Sequence, residues 1–242
     1  MSELTPGARL AWKIAAAEAA DARFSKIDKP HLLLGLLSLG KALAAAEDLP
    51  DAERKELSGE SRQLEELLAR LALQAVTLRR AVRQRVGVGT HRHAPGAAIS
   101  RTEAVKSAFS RAEELAEGEA LSCLHLLVAL FECPDPHLDL LLREAQVRPE
   151  EIEREALLRL LLVRLAARAA VEGARLVFDA RAEALLSTQG DPRASRGNDI
   201  RRVVAELVEA PLAELIRSGK LGKHERWRVA EEEGAIYVIP DE

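Results

Sequence analysis

The chain has 242 residues, enough for one large domain or two modest ones, each with a core of its own. Its apolar content of 48% is carried by Ala, Leu and Val with only 3% aromatic residues, which favours interdigitated helices over a sandwich or barrel. Charged residues make up 31% but nearly cancel to a formal charge of −4, so the overall charge does not imply nucleic-acid binding.

The opening MSELTPGARL lacks the basic-then-apolar layout of a secretory signal. Thr5 stands where a first helix should begin, with Pro6 at a position that suits proline. Leu10, Ile14 and Ala17 follow at helical spacing and form one face. Asp28 then caps a second helix three residues before His31-Leu32-Leu33, whose near-continuous apolar character predicts a central, buried helix. The same order returns from Ile99. Leu4, Thr5, Leu10, Ile14, Ala17 and Glu18 match Ile99, Ser100, Val105, Phe109, Ala112 and Glu113. After one deleted residue, Ile27, Asp28, His31, Leu32 and Leu33 match Leu121, Ser122, His125, Leu126 and Leu127. Ser100 thereby takes the helix-starting role of Thr5, and Ser122 that of Asp28. Two packed copies of a helix–loop–helix unit are expected, at residues 4–46 and 99–145.

The connection between them covers 47–98. Glu47 to Glu66 is charged and carries Pro50 and Gly59, so it reads as a surface excursion; LEELLARLALQAVTLRRAVRQRV returns to helical spacing, and GVGTHRHAPG closes it as a loop. After the second copy, Asp135 caps and Pro136 opens a helix, and Pro149 opens a longer one with acids first and arginines later. No apolar run reaches the roughly 18 residues of a membrane span. The last third changes period. Arg175–Phe178 reads as a strand and Asp179 as the cap of a helix. The polar loop STQGDPRASRGN leads into a long amphipathic helix, kinked at Pro211 and stopped near Gly219. ERWRVAEEEGAIYVIP reads as two strands turning near Gly234. The expected fold class is mainly α: an all-helical double repeat over 1–155, followed by a small α+β domain over 156–242.

The doubled pair carrying His31-Leu32-Leu33-Leu34-Gly35-Leu36-Leu37 and His125-Leu126-Leu127-Val128-Ala129-Leu130 resembles the N-terminal domain of the Clp ring unfoldases, with a longer connection. The last third is similar to the small subdomain that ends the second ATPase module of that family, through RLVFDARAEALLSTQGDP, DIRRVVAELVEAPLAELIRSGKL, WRV and IYV. That resemblance implies nucleotide-binding modules between the two ends, yet Glu155 to Arg175 leaves room only for a helix. Gly35-Leu-Leu-Ser-Leu-Gly40-Lys41 spells the start of a phosphate-binding loop but has Ala42 where a hydroxyl must hold magnesium, and no strand precedes it. Leu176-Val177-Phe178-Asp179 imitates a magnesium-presenting strand, with Ala180 where a catalytic Glu is wanted, and the family's sensing arginine would align with Asn198. No ATP hydrolysis, no other enzymatic activity and no cofactor are expected.

In that family the N-terminal domain receives adaptors and substrate segments, in some members arginine-phosphorylated ones, through a hydroxyl at each first helix start and a Glu before each central His. Thr5 and Ser100 fit the hydroxyl positions, but Pro30 and Leu124 stand at the Glu positions, which favours a more apolar ligand. Arg70, Arg79, Arg80, Arg83, Arg85, Arg92 and Arg101 occur with no acid among them, a run suited to an acidic protein partner or simply to a solvated face. Nucleic acid is the weaker reading because few aromatics are present to stack on bases. The candidate partner-binding residues are thus Thr5, Ser100, Arg79, Arg80 and Arg83. His31 and His125 read as packing or capping groups; His91 and His93 lack further ligands at metal spacing. Cys123 and Cys133 are too few for a disulfide framework and read as buried, inert thiols of a reducing compartment. Ser110, Ser122 and Ser187 carry no catalytic signature.

The expected function is a cytoplasmic adaptor or regulator that meets a Clp-type ATPase, its adaptors or its clients. The alternative is a structural or self-assembling protein, a homo-oligomer, that uses the fold without an unfoldase partner.

Overall fold

A computed structural model describes residues 3–46, 49–94, 96–189, 198–221 and 225–241. The chain is mainly α, as its composition implies, and divides into two compact units, Met1–Glu153 and Arg154–Glu242. Among the described residues no helix is long and apolar enough to cross a membrane.

The first unit contains α1 (Pro6–Asp21), β1 (Lys26–Ile27), α2 (Lys29–Leu37), α3 (Leu39–Ala45), α4 (Asp51–Arg70), α5 (Ala75–Val86), β2 (Ser100–Arg101), α6 (Glu103–Ala116), α7 (Cys123–Glu132) and α8 (Pro136–Glu144). The doubling is real, but its first half is shifted by two residues from the match by letter. Thr102, not Ser100, caps α6, accepting the Val105 N–H at 3.3 Å just as Thr5 accepts the Ala8 N–H at 3.3 Å. Ser100 lies instead in β2, exposed and paired with Lys26. The buried face of α1 is likewise Ala8, Ala11, Ala15 and Ala19, while Ala17 is exposed and Leu10 and Ile14 are half-buried. Its counterpart on α6 is Val105, Ala108, Ala112 and Ala116. Small residues fill this stripe because backbones approach closely there. Gly35 of α2 stands so near the Ala11 carbonyl that even a Cβ would overlap it.

The two copies exchange strands. Leu4 pairs in parallel with Leu121, and Ile27 pairs in parallel with Arg101, so the segment leading into each first helix is held by the other copy's second half. Between them Trp12 of α1 meets Phe109 of α6 edge-to-face at 5.2 Å, with the Arg101 guanidinium over both rings. The central helices α2 and α7 are buried along their length.

The charged stretch after the first copy is not an excursion. Leu57, Ser61, Leu64 and Leu68 recur at helical spacing and are buried, so the segment forms α4 with its charges on the outer face. Pro50 precedes the helix and Gly59 faces open space, so neither breaks it. Asp135 caps α8 as expected, accepting the His137 and Leu138 N–H groups at 3.0 and 3.2 Å. The chain then enters α9 (Pro149–Val171), within which the division between the units falls.

The second unit adds β3 (Arg175–Phe178), α10 (Ala180–Thr188), α11 (Asn198–Val204), α12 (Ala210–Arg217), β4 (Arg226–Glu232) and β5 (Ala235–Pro240). The strands lie in the order β3-β4-β5, parallel then antiparallel, and the β4–β5 turn uses Glu233 and Gly234, both at positive φ. Pro211 cannot donate to a helical ladder. The backbone accommodates it with a π turn over Ala205–Glu209, where the Ala210 N–H reaches back to the Ala205 carbonyl. Asp179 precedes α10 without capping it and sits 3.8 Å from Arg228 instead. Most of the polar loop before α11, residues 190–197, lies outside the described residues.

Gly35→Ala is expected to destabilise the first unit by about 2 kcal/mol, because overpacking against a backbone carbonyl outweighs alanine's better helix propensity. Urea denaturation of the variant beside the parent chain measures it.

Candidate protein-interaction site

The helix starts of the first unit meet in pairs, and each pair closes on a carboxylate. At the α1–α7 pair, Glu60 of α4 accepts the Gly7 N–H at 3.0 Å and the Cys123 N–H at 2.8 Å, with the Thr5 hydroxyl 3.0 Å from its Oε2. At the α6–α2 pair, Asp28 Oδ1 accepts the Lys29 N–H and the Thr102 hydroxyl, both at 2.9 Å. A carboxylate on converging amides and positive dipole ends is the arrangement such termini favour. Thr5 is therefore engaged inside the protein, and the anion position beside it is already filled. Ser100 takes no part in either junction. Pro30 and Leu124, which replace the acids implied by the family resemblance, are buried.

The central histidines complete capping boxes. His31 Nδ1 accepts the Asp28 N–H at 3.0 Å and His125 Nδ1 accepts the Ser122 N–H at 3.1 Å. Burial lowers the His31 pKa from 6.5, against weaker opposing pulls from Asp28 and Glu18. Lys29, fully buried, donates from Nζ to Leu130 O at 2.9 Å and to Cys133 O, closing the C-terminal end of α7. Burial lowers its pKa, and Asp135 is the first of the nearby groups that oppose this. Burial and then the adjacent Glu60 push the Cys123 thiol well above its usual range, while the Cys133 thiol is half-buried and raised chiefly by burial. The His91 and His93 rings lie 4.5 Å apart, and His93 Nε2 is 2.7 Å from Phe24 O. Among the described residues no group of three or more His, Cys, Asp or Glu side chains is placed to hold a metal ion.

The arginine run does not form one patch. Arg83 forms a bidentate pair with Glu18, Arg85 donates to Glu144 O at 2.6 Å, and Arg101 covers the Trp12 and Phe109 rings. Arg80 and Arg92 are exposed, whereas Arg79 is buried on the inner face of α5. What the run does border is a cleft of about 340 Å³ between α1, α2 and the end of α5. Glu18, Asp21, His31 and Arg83 supply its polar wall, and Leu34, Val86 and Val88 its apolar one, with Val88 72% exposed at the lip. The segment after α5 is fixed beside it by Gly89 N–H donating to Ala22 O at 2.7 Å. Such a cleft suits an extended peptide segment with apolar and cationic side chains.

No protein-family model and no curated protein matches the sequence. Among solved structures, the chain is similar to the N-terminal domain of the caseinolytic protease associated chaperone ClpD from Arabidopsis thaliana. The identity is 18% and the TM-score 0.42, covering 65% of this chain and 94% of that one.

Glu60, Thr102 and Lys29 escaped the sequence reading. Glu60 had one available signal, a carboxylate on the apolar face of α4 at helical spacing from Leu57 and Leu64; its partners lie too far along the chain to be read locally.

Glu60→Gln is expected to lose about 2 kcal/mol of stability, the worth of charge-assisted bonds to two amides. Glu56→Gln, an exposed neighbour, should stay within about 0.5 kcal/mol in the same denaturation series. Because the folded-state pKa of His31 is depressed, the unfolded chain binds more protons below pH 6.5. Stability is expected to fall as pH drops below 6.5, and His31→Gln, which can still close the capping box, should flatten that slope in urea midpoints taken across it.

Proposed function

We propose that this chain is a non-catalytic, cytoplasmic accessory of a Clp-type unfoldase or protease. Its first unit receives client or adaptor segments in the cleft beside α5, and its second unit associates with the ring or with another copy of itself. The observation that carries the reading is the direct connection of the two end units: α9 alone links the doubled repeat to β3, where the family resemblance implies nucleotide-binding modules. The stretch Gly35–Lys41 that spells part of a phosphate loop runs from α2 into α3, and the chain before α2 offers only the two-residue β1. Phosphoarginine is a poor fit as the recognised group, since Glu60 holds the amides an incoming phosphate would need, and an apolar or cationic segment fits the cleft better.

A second reading, a self-assembling structural element, is favoured by β5, which pairs only with β4 among the described residues and exposes Tyr237 by 47%.

Tagged protein recovered from its native cytosol is expected to bring down a Clp-type ATPase whose hydrolysis rate shifts when more of this chain is added, while the chain alone hydrolyses no ATP. Recovery of a clean self-oligomer with no ATPase would sink the first reading and leave the second.

A further inference from the structure

A separate hollow of about 230 Å³ lies between α2, α3, α4 and the start of α5. Leu36, Leu37, Leu64 and Leu68 line it, and Val76, 57% exposed, stands at its edge. The Arg79 side chain forms part of the same wall and is only 9% exposed. This position sets a planar guanidinium with several N–H donors beside leucines. Arginines in largely buried positions are ordinarily paired. Arg79 has no hydrogen-bond or ion-pair partner among the described residues. The charges that line the same hollow are Lys41, also positive, and Glu65, whose Oε1 accepts the Ser61 hydroxyl at 3.3 Å and which makes no ion pair with Arg79.

We infer that this hollow binds the C-terminal carboxylate of a peptide whose last side chain is apolar, Arg79 gripping the carboxylate and the leucines holding the side chain. The planar fork of Arg79 matches a carboxylate bidentately. The volume accommodates one branched aliphatic side chain beside that group. Lys41 and Glu65, one charge of each sign, flank a mouth that the peptide backbone can leave by. This deepens the client-binding reading of the first unit, on which it rests, by naming the end of the client chain that is held.

The test is fluorescence anisotropy of a labelled peptide ending in Ala-Leu-Leu, titrated with the full chain, as the free acid and as the C-terminal amide. The acid is expected to bind about tenfold tighter or more, the size of effect that a charge-assisted bond gives. Arg79→Gln should abolish the difference between acid and amide, and Val76→Glu, at an exposed position, should abolish acid binding with the far-UV spectrum unchanged. Equal binding of acid and amide, an acid preference that survives either substitution, or binding of decanoate without binding of the peptide would each overturn the inference. The acid–amide comparison and Val76→Glu decide the matter even where Arg79→Gln fails to fold. Since no unfoldase takes part, failure here leaves ring association standing, and failure of ring association leaves this binding standing.

Discussion

Helix N-termini carry unpaired amides and the positive end of a dipole, and the first unit brings four of them together in two pairs. Left to themselves, amides converging in a partly buried place would be costly. Asp28 answers this for α6 and α2 from within its own cap. The pseudo-equivalent residue of the other copy is Ser122, which has no charge to offer. Glu60 supplies it from outside the repeat, bonding to Gly7 and Cys123 at once. Glu60 thereby ties α4 to the gap that Ser122 leaves, beside the hold of its buried leucines. The strand exchange follows the same constraint, since Leu4 and Leu121 pair immediately before the two helices that Glu60 joins. The clefts on either side of α5 depend in turn on where α4 and the segment after α5 are held.

What was legible in the sequence was local. Asp28 with His31, Ser122 with His125, and Asp135 with Pro136 are signals spread over three residues or fewer, and each forms the cap its spacing implies. The register of the first helices was not legible in the same way. Matching by letter aligns Leu10 and Ile14 with Val105 and Phe109 and sets Leu10, Ile14 and Ala17 on one face. Here the buried face is a stripe of alanines, because Gly35 brings α2 against the α1 backbone and leaves no room for more. Trp12 and Phe109, a matched pair in the corrected register, meet each other across the two copies. The first part of α4 reads as a surface excursion for a related reason: its acidic and basic residues dominate the composition, while buried positions at helical spacing decide the structure.

The second unit shows which breaks a helix tolerates. Pro211 was readable as a kink, but not the form the kink takes. A widened turn keeps the Ala210 amide bonded while Pro211 contributes none, so α11 and α12 continue as one path with Val208 and Leu212 both fully buried. Asp179 was readable as a cap by type and position, and yet it faces Arg228 on the adjacent strand. A cap and a cross-strand pair compete for the same carboxylate, and only the strand order β3-β4 brings in the competitor. Long-range partners of that kind leave no trace in local spacing.

Charge along the arginine run is a poor guide to charge at a site, because the fold gives the residues different surroundings. Arg83 is neutralised by Glu18, 17% exposed on its side-chain atoms, so it shapes the larger cleft more than it charges it. Arg80 is solvated, where an ion pair with a partner is worth little. Arg79 differs in kind: its stem is packed among leucines, only 9% of the residue is exposed, and its guanidinium has no partner among the described residues. A carboxylate that reaches it forms its bonds beside leucines, with an arginine whose stem is already held in place. Of the three arginines, the one that looks least available from outside is the one whose surroundings favour an anionic ligand most.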